Sequence, residues 1–291
     1  MSITLVTGLW NIKRDQLNQG WSRSFDHYLQ KLEELLKVET NLIIFGEEEI
    51  REFVESRRSG DNTQFIARDT EWFKNTVPYD RIQEIRNNPD WYNQSGWLKD
   101  STQGSLEMYN PLVMSKVFLL NDAKIMDKFN STHLFWIDAG LTNTVHPGYF
   151  THDKIQDKLP KLFNKFGFIA FPYDANSEIH GFSYPKINEY AKNDVKLVCR
   201  GGLFGGHKDK WDEIVTLFED YTKNVITEDK GLPHEENVMT LMYYNHKELF
   251  ERKHFDIWWC RDNAPAGVTD EMFEKNKSFF RILEEFNRIY E

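Results

Sequence analysis

Apolar positions in this chain fall into short continuous runs separated by stretches with helical spacing. ITLVT (Ile3 to Thr7) is apolar and β-branched, the pattern of a buried strand, and it ends in GLWNIKR, where Gly8 and Asn11 mark a turn. SFDHYLQKLEELL then sets Phe25, Tyr28, Leu29, Leu32, Leu35 and Leu36 on one helical face, with Ser24 placed to cap it. NLIIFG (Asn41 to Gly46) predicts a second buried strand. EEEIREFVESRR predicts a helix with acids at its dipole-favoured start, and TQFIAR a third strand. This β-α-β-α-β order predicts a parallel sheet with crossover helices on its faces.

Thr70 to Gln103, rich in Trp, Asn and Asp, predicts short helices and loops. NPLVMSKVFLLNDAKIM predicts a helix from Asn110 to Ala123, with Asn110 as cap and Pro111 in first position. HLFWID predicts a central strand. After it come a helix from Asp153 to Phe166, a strand FIAFPY, a loop DANSEIHGFSY and a strand VKLVCR ending in GGLFGG. HKDKWDEIVTLFEDYTKNVI and HEENVMTLMYYNHKELF read as amphipathic helices, FDIWWC as a late strand, and Thr269 to Tyr290 as a closing helix. With no repeat, low-complexity segment or Pro/Gly/Ser linker, residues 1–291 read as one continuous α/β domain.

Ligands of such sheets bind outside the carboxyl ends of the strands. The turns after Thr7, Phe45 and Ile137 therefore share one edge. HLFWIDAGLTN stands out there: four large apolar residues run into Asp138, followed by Ala139 and Gly140. A rigidly placed carboxylate suits a hard cation such as Mn²⁺ or Mg²⁺, which combines few carboxylates with phosphate oxygens. Ala139 and Gly140 leave room for a diphosphate near the backbone. An aspartate at a strand end equally serves to cap a turn.

Composition narrows the partners. The formal charge of −10 argues against broad phosphate neutralisation on nucleic acid and against an anionic membrane surface, while a local basic pocket for one small anion stays open. No apolar run approaches the roughly 20 residues of a membrane span, and no signal peptide is visible, so the expectation is a soluble, cytoplasmic protein, or one brought to a membrane by a partner. Aromatic residues make up 15%, enough for a thick core or for stacking rings and sugars in a cleft. Cys199 and Cys260 have neither disulfide-framework nor zinc spacing and read as buried free thiols.

TLVTGLWNIKR, the helix containing SKVFLL, the strand end FWIDAG and the loop EIHGF together resemble the HtrL/YibB-type family of predicted glycosyltransferases, from the first strand to about Trp259. The resemblance implies a GT-A-like fold: a mixed, mostly parallel central sheet flanked by helices. It implies a nucleotide-binding half of about 1–145, an acceptor-binding half of about 146–291, and sugar transfer from a nucleotide-diphosphate sugar, a UDP-sugar first among them. The acceptor would be a hydroxyl on a glycan or protein. Where the GT-A acidic motif carries a second Asp, this chain has Gly140, so another group must complete any metal coordination. A non-catalytic nucleotide-sugar or glycan-binding protein on the same scaffold, and a nucleotidyltransferase, are the alternatives.

The resemblance directs attention to particular residues. Thr7, Gly8, Leu9, Trp10 and Asn11 would cradle the nucleotide, with Lys13 or Arg14 near phosphate; otherwise they form a plain turn. Phe45 would stack on the base and Glu47 reach the ribose, unless FGEEE is only a helix start. Arg81 or Arg86 would meet diphosphate, or be ordinary helix arginines. Lys116, on a largely apolar helix, is either snorkelling or held toward the site. Trp136, Asp138, Ala139 and Gly140 would form the donor-side strand end. EIHGF and the glycines of CRGGLFGGH suit an acceptor sugar, or a bulge in a strand. Glu235 and Glu236 are base candidates for the acceptor hydroxyl, or acids complementing a helix dipole. His254, with His246 as alternative, would join Asp138 on a metal, though a lone histidine is more often structural. Trp258, Trp259 and Arg261 could contact sugar or phosphate, with core and surface roles as defaults.

Overall fold

The computed structural model describes residues 2–17, 20, 22–94, 98, 100–141, 160, 165–172, 178–179, 182–227 and 231–253. The strands are β1 (Ile3–Leu9), β2 (Asn41–Gly46), β3 (Thr63–Ala67), β4 (His133–Ile137), β5 (Phe166–Pro172), β6 (Glu178–Ile179), β7 (Phe182–Ser183), β8 (Leu197–His207) and β9 (Phe250–Lys253). The helices are α1 (Phe25–Leu35), α2 (Arg51–Arg57), α3 (Thr70–Thr76), α4 (Tyr79–Asn87), α5 (Thr102–Ser105), α6 (Tyr109–Met126), α7 (Tyr184–Ala191), α8 (Trp211–Asp220) and α9 (Glu235–Asn245).

Seven strands form one sheet in the order β3-β2-β1-β4-β8-β5-β9. β1 pairs in parallel with β2 and β4, β2 with β3, and β5 with β9, while β8 runs antiparallel to both β4 and β5. The sheet is therefore mixed and mostly parallel, as expected.

Alternate residues of the central strands feed two cores, the period-two rule acting on a sheet buried on both faces. Val6, Ile43, Phe45, Leu134 and Trp136 join α6 and α9 on one side. Leu5, Leu42, Ile44, Phe135 and Ile137 join Leu32 and Leu35 of α1 and Val54 of α2 on the other. Ser24 caps α1 by accepting from the His27 N–H at 3.2 Å. Among the described residues no helix is long and apolar enough to cross a membrane.

Several elements depart from the sequence reading. α6 starts a residue earlier and runs longer, and Asn110 does not cap it: its amide donates to the Pro233 carbonyl at 2.7 Å, tying α6 to the segment before α9. DANSEIHGFSY contains a small antiparallel pair, β6 with β7. VKLVCR and GGLFGG are one strand, and the glycines mark its irregularity. The β5–β8 pairing passes from Phe168↔Phe204 to Ile169↔Arg200, so residues 201–203 leave the β5 ladder. That is a bulge, which bends the strand and re-aims what it carries. The stretch after Trp211 ends in a π-helical turn, Tyr221–Ile226. The helix expected from Asp153, the strand FDIWWC and the C-terminal helix lie outside the described residues.

Candidate functional site

A cavity of about 340 Å³ opens at the carboxyl ends of β1 and β4. Its walls come from the segment after β1, one face of α6, the β4 end, the bulge of β8 and the start of α9. Tyr109, Leu112, Val113 and Lys116 of α6 all line it, the spacing that puts side chains on one helical face. The β8 bulge contributes Arg200, Gly201 and Gly202.

The centre of the site is an ion network. Ten of the 18 residues of α6 are buried, Lys116 among them, so its ammonium must find partners within the fold. Lys116 Nζ lies 2.8 Å from Asp138 Oδ1 and 3.1 Å from Oδ2, 2.8 Å from Glu235 Oε1 and 3.2 Å from the Gly201 carbonyl. Trp136 and Asp138 are two residues apart and point to one face of the sheet, so the indole N–H donates to Asp138 Oδ1 at 2.6 Å. The Asp138 backbone N–H donates to the Gly202 carbonyl at 3.1 Å, continuing the β4–β8 ladder by one residue. The Asp138 side chain keeps 36% exposure, against 2% for Glu235.

Glu235 and Glu236 open α9, and each is held. His234 Nδ1 stands 2.8 Å from Glu235 Oε2. Glu236 Oε1 accepts from the Gly201 N–H at 2.9 Å, and its Oε2 pairs with Arg200 at 3.2 Å. Gly201 matters for its lack of a side chain: a β-carbon there would run into Glu235 Oε1. Burial pushes the Lys116 ammonium toward neutrality, but the charges of Asp138 and Glu235 outweigh it and hold its pKa above the ordinary lysine range. Burial likewise opposes ionisation of Glu235, yet His234 and Lys116 prevail and keep its carboxyl at about 2. Burial first, and Glu235 second, push the Tyr109 phenol up to about 12.

Of the residues singled out in the sequence, the structure brings Gly8, Leu9, Trp10, Asn11, Lys116, Trp136, Asp138, Ala139, Gly140, Glu235 and Glu236 to this cavity. Trp10 is largely committed to packing: its indole donates to the Arg68 carbonyl at 2.8 Å, and its ring meets Phe73 edge-on. Thr7, Phe45, Arg81, Arg86 and His246 stand elsewhere. Thr7 is fully buried inside β1. Phe45 is fully buried in the core beside Ile43 and Val6, so no base can stack on it without opening that core. Arg81 bonds the Thr227 carbonyl at 3.1 Å and Glu84 at 2.6 Å, linking α4 to the end of the π-helical turn. Arg86 similarly ties α4 to Gly104. His246 bonds Tyr221 at the far end of α9. His254, Trp258, Trp259 and Arg261, like His180 and Gly181, lie outside the described residues.

Arg14, Arg23, Phe25, Tyr28, Tyr109, Arg200 and His234 also line the cavity; of these the sequence points only to Arg14 as a site residue, and it sets Phe25 and Tyr28 on the apolar face of α1. Arg14 donates to the Tyr28 hydroxyl at 2.7 Å and lies over its ring. Tyr109 had a signal, since it sits two turns before Lys116. Arg23 had none, because nothing local in WSRSF separates a rim residue from a solvated one.

A divalent cation at Asp138 would need further oxygen or nitrogen ligands. Glu235, the other carboxylate bound to Lys116, is buried in its pairs; Asp138 Oδ2 already accepts from the ammonium, and Oδ1 accepts from the Trp136 indole while pairing with the ammonium. Among the described residues no group of three or more His, Cys, Asp and Glu side chains could hold a metal ion. The described residues around Asp138 thus do not compose a divalent-metal ligand set.

The architecture is an α/β domain with an edge cavity built around a buried lysine. The chain belongs to the HtrL/YibB family: that family, described as "Bacterial protein of unknown function (HtrL_YibB)", matches residues 1–261. Protein HtrL of Escherichia coli (strain K12) is 26% identical over 298 residues, covering 92% of this chain and 95% of that protein. Among solved structures, mouse xyloside xylosyltransferase 1 in its apo form aligns with a TM-score of 0.45 at 13% identity, over 95% of this chain and 94% of that one. The 4-diphosphocytidyl-2C-methyl-D-erythritol synthase of Anaerococcus prevotii DSM 20548 aligns with a TM-score of 0.39 at 9% identity, over 96% of each chain.

Proposed function

We propose that this cavity binds a nucleotide-diphosphate sugar, a UDP-sugar first among them, and transfers its sugar to a hydroxyl acceptor on a glycan or protein. The observation that carries the reading is the composition of the cavity wall. Four permanently basic residues (Arg14, Arg23, Lys116, Arg200) meet three carboxylates (Asp138, Glu235, Glu236) there, in a chain whose formal charge is −10. The same wall holds Phe25, Tyr28, Tyr109 and Trp136. A ligand carrying both phosphates and flat rings matches that mixture, with guanidinium groups for the phosphates and aromatic faces for base or sugar.

In this reading Ala139, Gly140 and Gly202 give the diphosphate and sugar close access to the backbone. Asp138 presents a fixed carboxylate beside the sugar, its direction set by Lys116 and Trp136. Preorganised polar groups of this kind cost no rearrangement when charge builds on the departing diphosphate. Glu235 positions Lys116 rather than acting as the base: a carboxylate held at about 2 has little affinity for a proton at neutral pH.

The test is to incubate the chain with a panel of nucleotide sugars and a glycan acceptor library and to measure released nucleoside diphosphate. Turnover with at least one donor is expected, and Asp138→Asn should lower it by ~100-fold by loosening the aim of the site. Absence of both binding and turnover across the panel removes the proposal. Pyrophosphate release from a nucleoside triphosphate would indicate a nucleotidyltransferase instead, and binding without turnover a binding protein.

A further inference from the structure

We infer that this cavity takes its nucleoside diphosphate without a divalent cation, because the Lys116 ammonium occupies the place at Asp138 that a metal ion would fill. The inference rests on the proposed donor and adds how its charge is balanced.

The ammonium sits in an oxygen cage that the fold builds for it. Asp138 Oδ1 and Oδ2 stand at 2.8 and 3.1 Å, Glu235 Oε1 at 2.8 Å and the Gly201 carbonyl at 3.2 Å. These oxygens come from the residue just after β4, from α9 and from the β8 bulge, and the cation from α6, so four parts of the chain converge on one nitrogen. Carboxylate and carbonyl oxygens are the ligands a hard cation prefers. Here the chain supplies the cation itself.

A divalent ion entering this cage would meet a fixed positive charge within a few ångströms, in surroundings that screen it poorly. Lys116 is 5% exposed and ten of the 18 residues of its helix are buried, so the ammonium is held among these oxygens rather than in bulk water. The ammonium offsets part of the negative charge of Asp138 and Glu235, which would otherwise repel phosphate. Phosphate oxygens then meet Arg14 and Arg23, which belong to the segment after β1 and line the same cavity.

The experiment is calorimetric titration of UDP into the full chain, once in EDTA and once in Mn²⁺. The two affinities are expected to agree within ~3-fold, where a metal-bridged diphosphate would gain ~10-fold or more from the ion. In Lys116→Met, which keeps the bulk and removes the charge, UDP affinity in EDTA should fall by ~10-fold or more, and Mn²⁺ should restore most of it. Wild-type binding that appears only with Mn²⁺ overturns the inference while leaving the proposed function standing. A Lys116→Met variant that binds UDP in EDTA as wild type does also overturns it. Should that variant fail to fold, the wild-type pair of titrations still decides. Binding in neither buffer removes the nucleotide reading, and the inference with it.

Discussion

The two ends of β4 solve the same problem in opposite ways. His133 begins the strand and Asp138 follows its last residue. Each meets a polar demand inside the fold. At the His133 end the chain discards charge. The imidazole is 3% exposed, bonds the Thr132 hydroxyl at 2.9 Å and meets His207 edge-on. Burial first, and His207 second, hold its pKa down at about 4, so it sits there neutral. At the Asp138 end the chain collects charge: an ammonium and two carboxylates are locked together, with His234 and an arginine–carboxylate pair beside them. Neutral polar groups suffice where only packing is required. Buried charges in a network cost desolvation and add little net stability, so their retention points to a use for the charges themselves.

That contrast can be broken most forcefully at Lys116. Lys116→Ala strands the Glu235 carboxylate and should lower unfolding free energy by ~3–5 kcal/mol in urea titration. Adding Glu235→Gln should return part of that loss, since the two residues share one network. A neutral substitution at the other end, His133→Gln, should cost much less. If Lys116→Ala proves no worse than His133→Gln, the two ends do not differ as described.

The next largest effect is expected at the bulge. Gly201→Ala drives a β-carbon into Glu235 and should cost ~1–3 kcal/mol, with weakened nucleotide binding, because α9 must move away from β8. Unchanged stability and binding would mean the close approach of these elements is dispensable.

Acid separates the ends by pH. The folded chain keeps His133 unprotonated down to about 4, while the ordinary value is 6.5, so the unfolded chain takes up the proton first. Stability should therefore fall as pH drops from 6.5 toward 4. Glu235 works lower down: its ion pairs contribute fully above the ordinary 4.5, and that contribution drains as pH falls toward 2. Urea unfolding at a series of pH values should show both windows. His133→Gln should flatten the upper one and leave the lower.

The smallest effect calibrates the rest. Lys74 and Glu71 pair at 2.6 Å on the surface of α3, with Glu71 66% exposed. Lys74→Gln should leave the unfolding midpoint where it was, because exposed pairs gain little over water. A clear drop there would mean that ordinary ion pairs in this chain carry weight now assigned to the cavity network.

Much of this was legible in the chain. Buried strands announce themselves by continuous apolar runs, so β1, β2 and β4 and the shared edge of their turns were readable. Asp138 was readable as a carboxylate ending such a run, and Lys116 as a charge on an otherwise apolar helix. Residue type alone could not say which way a strand residue faces, and this is why Thr7 and Phe45 went into the interior. Arg81 was misplaced because a carbonyl 146 residues away claimed its guanidinium. Arg200 and His234 escaped notice for the converse reason. Their value to the cavity depends on a bulge and a helix start meeting across the sheet, a long-range event with no local signature. The amphipathic reading of α9 failed similarly: its first eight residues are all buried.

The position of β8 has a consequence for how the chain comes off the ribosome. It is inserted between β4 and β5, although some sixty residues separate it from the end of β4 in the chain. Until it emerges, the β3-β2-β1-β4 portion presents a bare edge of unsatisfied amides and carbonyls along its most apolar strand. A fragment ending at residue 141 would carry the segment after β1 intact and still be a poor folding unit, prone to self-association. Any attempt to express the two halves separately would meet that open seam first.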